Sequence, residues 1–389
     1  MLAKYQLVTI GGRNRFREDV IDRILRRMRE LGVSRKTIEH LDQTNYFNRH
    51  ANNCPTVGLY FGDVGASTHT NVLQDLIDGA AYVIPVVTNL GSFSQEIPNI
   101  AAKVNGFQLA DRNDIEPLAS AVLEGFSLLR KSRRLFISYK RSDSSGVAIQ
   151  LYEALEKAGF DVFLDTHSVR PGDTFQDELW HRMADTDVLV MLNSPGFTKS
   201  FWTTQEIAEA SGMSITMLQL IWPKVQQLAN SDLSIPHQLG SADFVGNKSA
   251  GETAKLESAV AAELVSIVEG IRARALASRQ DKLTTEFKKA ADVKNVSVQL
   301  QPEKYFTFSG RRRTKVVIPT VGVPQAFTYN EYDDRMKSLF ESTRTDVYLL
   351  YDHKNIRDKW LTHLSWLDNH LPVKSFKIVD AEQWLAQNK

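Results

Sequence analysis

The 389-residue chain has one cysteine, Cys54, so no intrachain disulfide can form and no cysteine cluster can hold zinc. It has no excess charge of either sign, with 47 Lys plus Arg against 46 Asp plus Glu. Without a net field, nucleic acid or an acidic membrane surface would need a local patch to bind. No run approaches the roughly 18 consecutive apolar residues of a membrane span. The opening stretch MLAKYQLVTIGGRNRFRED carries a short apolar run broken by Lys4 and followed by glycines and charge, unlike a secretory signal. These absences lead us to expect a soluble cytoplasmic protein with no membrane partner, no nucleic-acid partner and no metal.

The composition that remains is globular, 42% hydrophobic and 24% charged, and the length suits two or three domains rather than one. The middle third is the most legible. LFISY (135–139) reads as a strand, followed by a turn cluster and a helix carrying Val147, Leu151 and Leu155 on one face, which Gly159 can stop. DVFLD (161–165) is a second strand, and the loop THSVRPGDTF leads to a helix with Phe175, Leu179 and Met183 on one face. VLVML (188–192) and SITMLQLIW (214–222) have the unbroken hydrophobicity of strands buried on both faces. Strands alternating with helices make a doubly wound parallel α/β sheet, in which ligands sit at the carboxyl ends of the strands.

Residues 57–87 align without a gap on 188–218, strand with strand and helix with helix, placing Gln74 on Gln205 and Asp75 on Glu206. The first third therefore reads as a second copy of the same architecture. From about residue 280 the character changes. TTEFKKAADVKN reads as a linker or a first helical turn, VSVQL, KVVIPTV and DVYLLYD read as strands, and 355–371 as an amphipathic helix. FKIVD (376–380) reads as a last strand and AEQWLAQ as a closing helix. The expected organisation is α/β throughout: flavodoxin-like modules over 1–130 and 131–278, and a further α/β module over 279–389.

Three segments in order carry a resemblance: FISYKRSD at the end of the first strand, the loop LDTHSVRPGDTF, and SPGFTKSFWTTQE from Ser194 to Glu206. Over residues 133–222 they resemble the TIR (Toll/interleukin-1 receptor) domain family, in particular its prokaryotic NAD+-cleaving effectors. The resemblance implies that Glu206 is the catalytic carboxylate, NAD+ is substrate rather than cofactor, and no cofactor is needed. Loss of nicotinamide develops oxocarbenium character on the ribose, and one carboxylate beneath it stabilises that charge. Nicotinamide already leaves readily, so the second carboxylate of ordinary glycoside hydrolysis is dispensable.

The other candidates each carry two readings. Trp202, one turn before Glu206, walls the substrate pocket or is core. Lys140, Arg141 and Arg170 contact a pyrophosphate or are solvated charges. Asp143 caps a helix or contacts the ribose. Ser138 donates to substrate or closes a turn. Tyr139, at the end of the first strand, and Ser194, after VLVML, are counted with the substrate-binding residues, and Ser194 lacks the context of a hydrolase elbow. His167 and His181 read as surface residues.

The first third departs from the family pattern, with Asn71 matching Trp202 and Asp75 matching Glu206, so a degenerate module that senses a nucleotide-like ligand or assembles subunits is expected. Its GGRNR (11–15) is an incomplete phosphate motif. Arg311, Arg312 and Arg313 beside Tyr305, Phe306 and Phe308 form a nucleic-acid patch or, preferably, a solvated edge. Trp360, Trp366 and Trp384 read as core or interface anchors. The resemblance also implies homo-oligomerisation through TIR–TIR contacts, a nucleotide messenger or a protein as trigger, and an antiviral immune role. The alternatives are a non-enzymatic TIR adaptor acting through TIR–TIR contacts, or nucleoside-processing activity in the first third.

Overall fold

The computed structural model describes residues 5–51, 54–63, 68–79, 81–164, 175–197, 215–228, 234–301, 303–310, 313–340 and 345–389, with backbone alone at 175–179 and 338–339. The chain divides into two compact units, Met1–Lys131 and Ser132–Lys389. Among the described residues no helix is long and apolar enough to cross a membrane.

The first unit is built on strands β1 (Tyr5–Gly11), β2 (Ile38–Asp42), β3 (Thr56–Phe61), β4 (Tyr82–Val87) and β5 (Phe107–Gln108), ordered β2-β1-β3-β4-β5 and parallel throughout. Alternation of strand and helix enforces this, because a parallel neighbour requires a crossover. β1 is buried along nearly its whole length, as a strand covered on both faces must be.

The second unit repeats the plan with β6 (Arg134–Ser138), β7 (Asp161–Leu164), β8 (Val188–Asn193), β9 (Thr216–Ile221) and β10 (Ser234–Gln238). Its order is β7-β6-β8-β9-β10, again all parallel. Both sheets therefore share the flavodoxin-like winding expected from the internal similarity. The ungapped alignment holds for β3 with β8 but drifts by β9: Tyr82, which opens β4, pairs with Met213, whereas β9 opens at Thr216.

The third sheet is mixed. β11 (Gln299–Leu300), β12 (Phe306–Ser309) and β13 (Thr314–Pro319) pair antiparallel, while β14 (Thr345–Tyr351) and β15 (Lys374–Lys377) continue parallel. β15 is shorter than FKIVD suggested, since Ile378–Asp380 form a 3-10 turn. The stretch after 280, read as a linker or a first helical turn, is the last part of one helix, Ser258–Val293. Its first half puts Leu264, Val268 and Ile271 into the core of the middle sheet, and its second half puts Phe287, Ala290 and Ala291 into that of the third. One helix serving two cores presents different faces along its length, so no single period survives.

Tyr305, Phe306 and Phe308 are buried in this unit and Arg313 is paired with Asp346 at 2.9 Å, which removes the aromatic half of the nucleic-acid patch. Arg311 and Arg312 lie outside the described residues. Trp384 stacks on Phe376 at 4.2 Å in the core, while Trp366 is exposed.

Candidate active site

The site expected from the sequence lies where β6 and β8 end. β6 stops at Ser138, which is fully buried, and Tyr139 turns its side chain into the apolar core with Val147, Leu151 and Leu192. The chain then tightens. The carbonyl of Lys140 accepts from the backbone N–H groups of Asp143 (3.1 Å) and Ser144 (3.0 Å) and from the Ser144 hydroxyl (3.1 Å). Ser144 sits at φ −146°, outside helical geometry, so the helix Arg141–Lys157 is interrupted at its first turn. Arg141 is exposed on that turn.

The interruption lets Asp143 reach sideways to the loop after β8. Its carboxylate accepts the Gly196 N–H at 2.7 Å, the Ser194 hydroxyl at 3.3 Å and the Ser142 hydroxyl at 2.7 Å, and Lys140 Nζ stands 3.7 Å away. Burial alone would raise the Asp143 carboxyl. The hydrogen bonds from Ser142, Gly196 and Ser194 and the Lys140 charge outweigh it and hold the group below the usual carboxylate range. Asp143 thus spends its acceptors on joining two loops, beyond the cap or ribose contact anticipated for it.

The structure brings Lys140, Asp143 and Ser194 together. Trp202, Glu206 and Arg170 lie outside the described residues, as does His167. Two residues were missed in the sequence. A Cβ on Gly196 would lie 2.2 Å from Lys140 Nζ and 2.5 Å from Asp143 Oδ2, so only glycine permits this close approach. Asn193 ends β8 fully buried; its Nδ2 donates to Gln226 O at 2.9 Å, and its Oδ1 has no hydrogen-bond partner among the described residues. The signal for Asn193 was a polar residue closing the apolar run VLVML. Among the described residues no group of three or more His, Cys, Asp or Glu could hold a metal ion.

At the matching position of the first unit, Asp75 accepts the Tyr46 hydroxyl at 2.7 Å, and His50 stacks on Tyr46 at 4.6 Å. GGRNR borders a cleft of about 520 Å3 lined by Arg13, Arg15, Arg17 and His40 and by the carboxylates Glu18 and Asp42. Gly11, at φ +96°, is required because a Cβ there would meet the Phe61 carbonyl at 2.2 Å, an explanation from chain packing rather than from phosphate. Arg17 donates only to neutral acceptors, Thr9 O (2.7 Å), Thr9 Oγ1 (3.1 Å) and Gly12 O (3.3 Å), with no ion pair among the described residues. Burial lowers its pKa.

The model of the TIR domain family matches residues 135–259. The chain is 29% identical over 110 residues to a probable 2' cyclic ADP-D-ribose synthase, BdTIR, of Brachypodium distachyon, covering 28% of this chain and 47% of that protein. It is 27% identical over 100 residues to the 2' cyclic ADP-D-ribose synthase BtTIR of Bacteroides thetaiotaomicron, covering 24% of this chain and 34% of that one. The chain thus spans less than half the length of these relatives. Among solved structures, the C-terminal domain of a glucosamine-fructose-6-phosphate aminotransferase from Francisella tularensis aligns over 71% of this chain and 84% of that one at 8% identity, with a TM-score of 0.21, too low to imply a common fold.

Proposed function

From the premise that residues 135–259 are a TIR domain, we propose that the carboxyl edge of its sheet binds NAD+ and cleaves the nicotinamide–ribose bond, with Glu206 as the catalytic carboxylate. Nicotinamide departs with the bonding electron pair, which neutralises its ring. The oxocarbenium left at the anomeric carbon is stabilised by the Glu206 carboxylate, and water or a hydroxyl of the same molecule then attacks and loses its proton. Hydrolysis gives ADP-ribose and internal attack gives a cyclic isomer.

The observation that carries the reading is the joining of the β6 and β8 loops by Asp143, which holds the Lys140 cation and the Ser194 turn at one polar edge. Lys140, with Arg141 and Arg170, is assigned to the pyrophosphate. Ser138, Tyr139, Asp143 and Ser194 shape the floor and Trp202 walls the sugar. Support also comes from the two relatives named as cyclic ADP-ribose synthases.

Cleaving a central cofactor harms its own cell unless gated, so we assign activity to a TIR–TIR assembly, with the unit 1–131 as sensor or assembly module and immune defence as the role. The cleft beside Arg17, open and lined by cations and carboxylates together, favours a ligand-sensing task for that unit.

The test is nicotinamide release by the purified chain across a range of protein concentrations. Release that rises with concentration and vanishes in Glu206→Ala supports the proposal. Release that survives Glu206→Ala removes that residue from catalysis, and no release at any concentration leaves the adaptor reading.

A further inference from the structure

In the first unit, the cleft of about 520 Å3 bordered by GGRNR opens at the carboxyl ends of β1 and β2, where Thr9 and Asp42 are partners in register. Parallel α/β sheets bind ligands at this end, and the volume falls within the roughly 300–1,000 Å3 of small-molecule sites. Gly11 already answers to the Phe61 carbonyl, so an anion here would be met by side chains rather than by a glycine cradle.

The cations and carboxylates of the cleft form no ion pair with one another among the described residues. Arg17 is fixed to the strand through Thr9 and Gly12 and lies over the Phe61 ring at 5.1 Å. Arg15 donates to Ala110 O at 2.8 Å. Arg13 is exposed, with no hydrogen bond or ion pair among the described residues. The remaining residues of this unit, 1–4, 52–53, 64–67 and 80, include no Asp or Glu that could neutralise it. Arg13 can therefore take an anion from solution without breaking a bond of the fold.

The end of β2 offers acceptors instead. Asp42 spends one oxygen, Oδ1, on Thr44 N (2.8 Å), Thr44 Oγ1 (2.5 Å) and Asn45 N (3.2 Å), which leaves Oδ2 without a bond among the described residues. Next to it, Gln43 Oε1 is buried and has no hydrogen-bond partner among the described residues. A buried acceptor calls for a donor, and its neighbouring carboxylate calls for another. No phenyl, phenol or indole ring lines the cleft, so it suits hydroxyl groups better than a stacked base.

We propose that this cleft binds a phosphorylated sugar. The phosphate pairs with Arg13, beside Arg15 and Arg17, and sugar hydroxyls donate to Asp42 Oδ2 and Gln43 Oε1. The inference rests on the sensing task assigned to the unit 1–131 and gives that task a ligand class. The same chemistry is presented by a free sugar phosphate and by the ribose phosphate of a nucleotide.

The test uses the full chain and ribose 5-phosphate as probe, followed by calorimetry, with thermal melts confirming that each variant is folded. Arg13→Glu reverses an exposed charge that the fold does not use, and Gln43→Met deletes the buried acceptor while keeping the length of the side chain. The probe should bind the wild type, at least about ten-fold more weakly to Arg13→Glu and about three- to ten-fold more weakly to Gln43→Met, with Glu206→Ala and Lys140→Ala unchanged. AMP binding more tightly than the probe, and weakened alike by Arg13→Glu, makes a nucleotide the source; AMP excluded from the site makes it a free sugar phosphate. Absence of binding at millimolar probe overturns the proposal, as does equal affinity in wild type and Arg13→Glu or loss of binding in Lys140→Ala alone. Inorganic phosphate binding as tightly as the probe overturns the sugar half of the site. Nicotinamide release is followed separately, so release without probe binding sinks this site alone, and probe binding without release sinks NAD+ cleavage alone.

Discussion

Asp143 accepts the backbone N–H of Gly196 at 2.7 Å, joining two turns that lie 53 positions apart in the chain. This bond sets the spacing of the carboxyl edge between β6 and β8, and with it the relative position of any groups those loops present to a substrate.

Gly196→Ala should disturb that edge while leaving the fold intact. The new Cβ meets only the ends of the Lys140 and Asp143 side chains, which can move aside, so the loss of stability stays within about 1 kcal/mol. Moving aside breaks the link, and misplacement on the scale of an ångström should lower nicotinamide release by about ten- to a hundred-fold. Unaltered release in a folded Gly196→Ala variant would show that the loop contact has no bearing on the chemistry.

The depressed Asp143 pKa carries a pH signature. Because the folded value lies below the unfolded one, the contribution to stability is complete above about pH 4 and fades as pH falls towards the folded value. All six tryptophans fall within 132–389, so urea melts followed by tryptophan fluorescence report this unit. Between pH 6 and 3 the wild type should lose stability more steeply than Asp143→Asn. Parallel curves would mean the carboxylate is not held as described.

Arg272 and Asp187 form an ion pair at 2.7 Å with both side chains fully buried. Arg272→Met strands a buried carboxylate and should destabilise the second unit by about 3–5 kcal/mol, whereas adding Asp187→Leu should recover most of the loss. The same urea melts decide it, and a double variant no better than the single one would count against charge burial as the cause.

His40, bonded to Thr9 at 2.8 Å, has its pKa pushed down, chiefly by burial. The unfolded chain then binds the extra proton first, so stability of the first unit should fall as pH drops from 7 through about 6.5 and level off once the folded form protonates too. That unit has no tryptophan, so hydrogen exchange of its peptides, corrected for intrinsic rates, is the readout. His40→Gln should flatten the dependence; an equal slope would place the titration elsewhere.

Much of the architecture was legible because it is periodic. VLVML predicted a doubly covered strand and β8 is one; Val147, Leu151 and Leu155 predicted a helix face and all three are core. Legibility failed where one element answers to two environments, as in Ser258–Val293, or where polar neighbours disguise core residues, as with Tyr305, Phe306 and Phe308 beside three arginines. Of the candidate site, the sequence named Lys140, Asp143 and Ser194 but not how they meet. Gly196 was not singled out, and Asp143 read as a helix cap or a ribose contact.

The order of apolar and polar residues along the chain was sufficient for the winding of the first two sheets, because burial of a strand or helix face writes a repeat of fixed period, while the resemblance to the TIR family rests on the particular residues of three short segments. Which polar groups meet was decided by the tertiary structure alone. The Asp143–Gly196 bond and the cleft beside Arg17 depend on the distance between loops and on the shape left where strands end, and neither leaves a period in the chain.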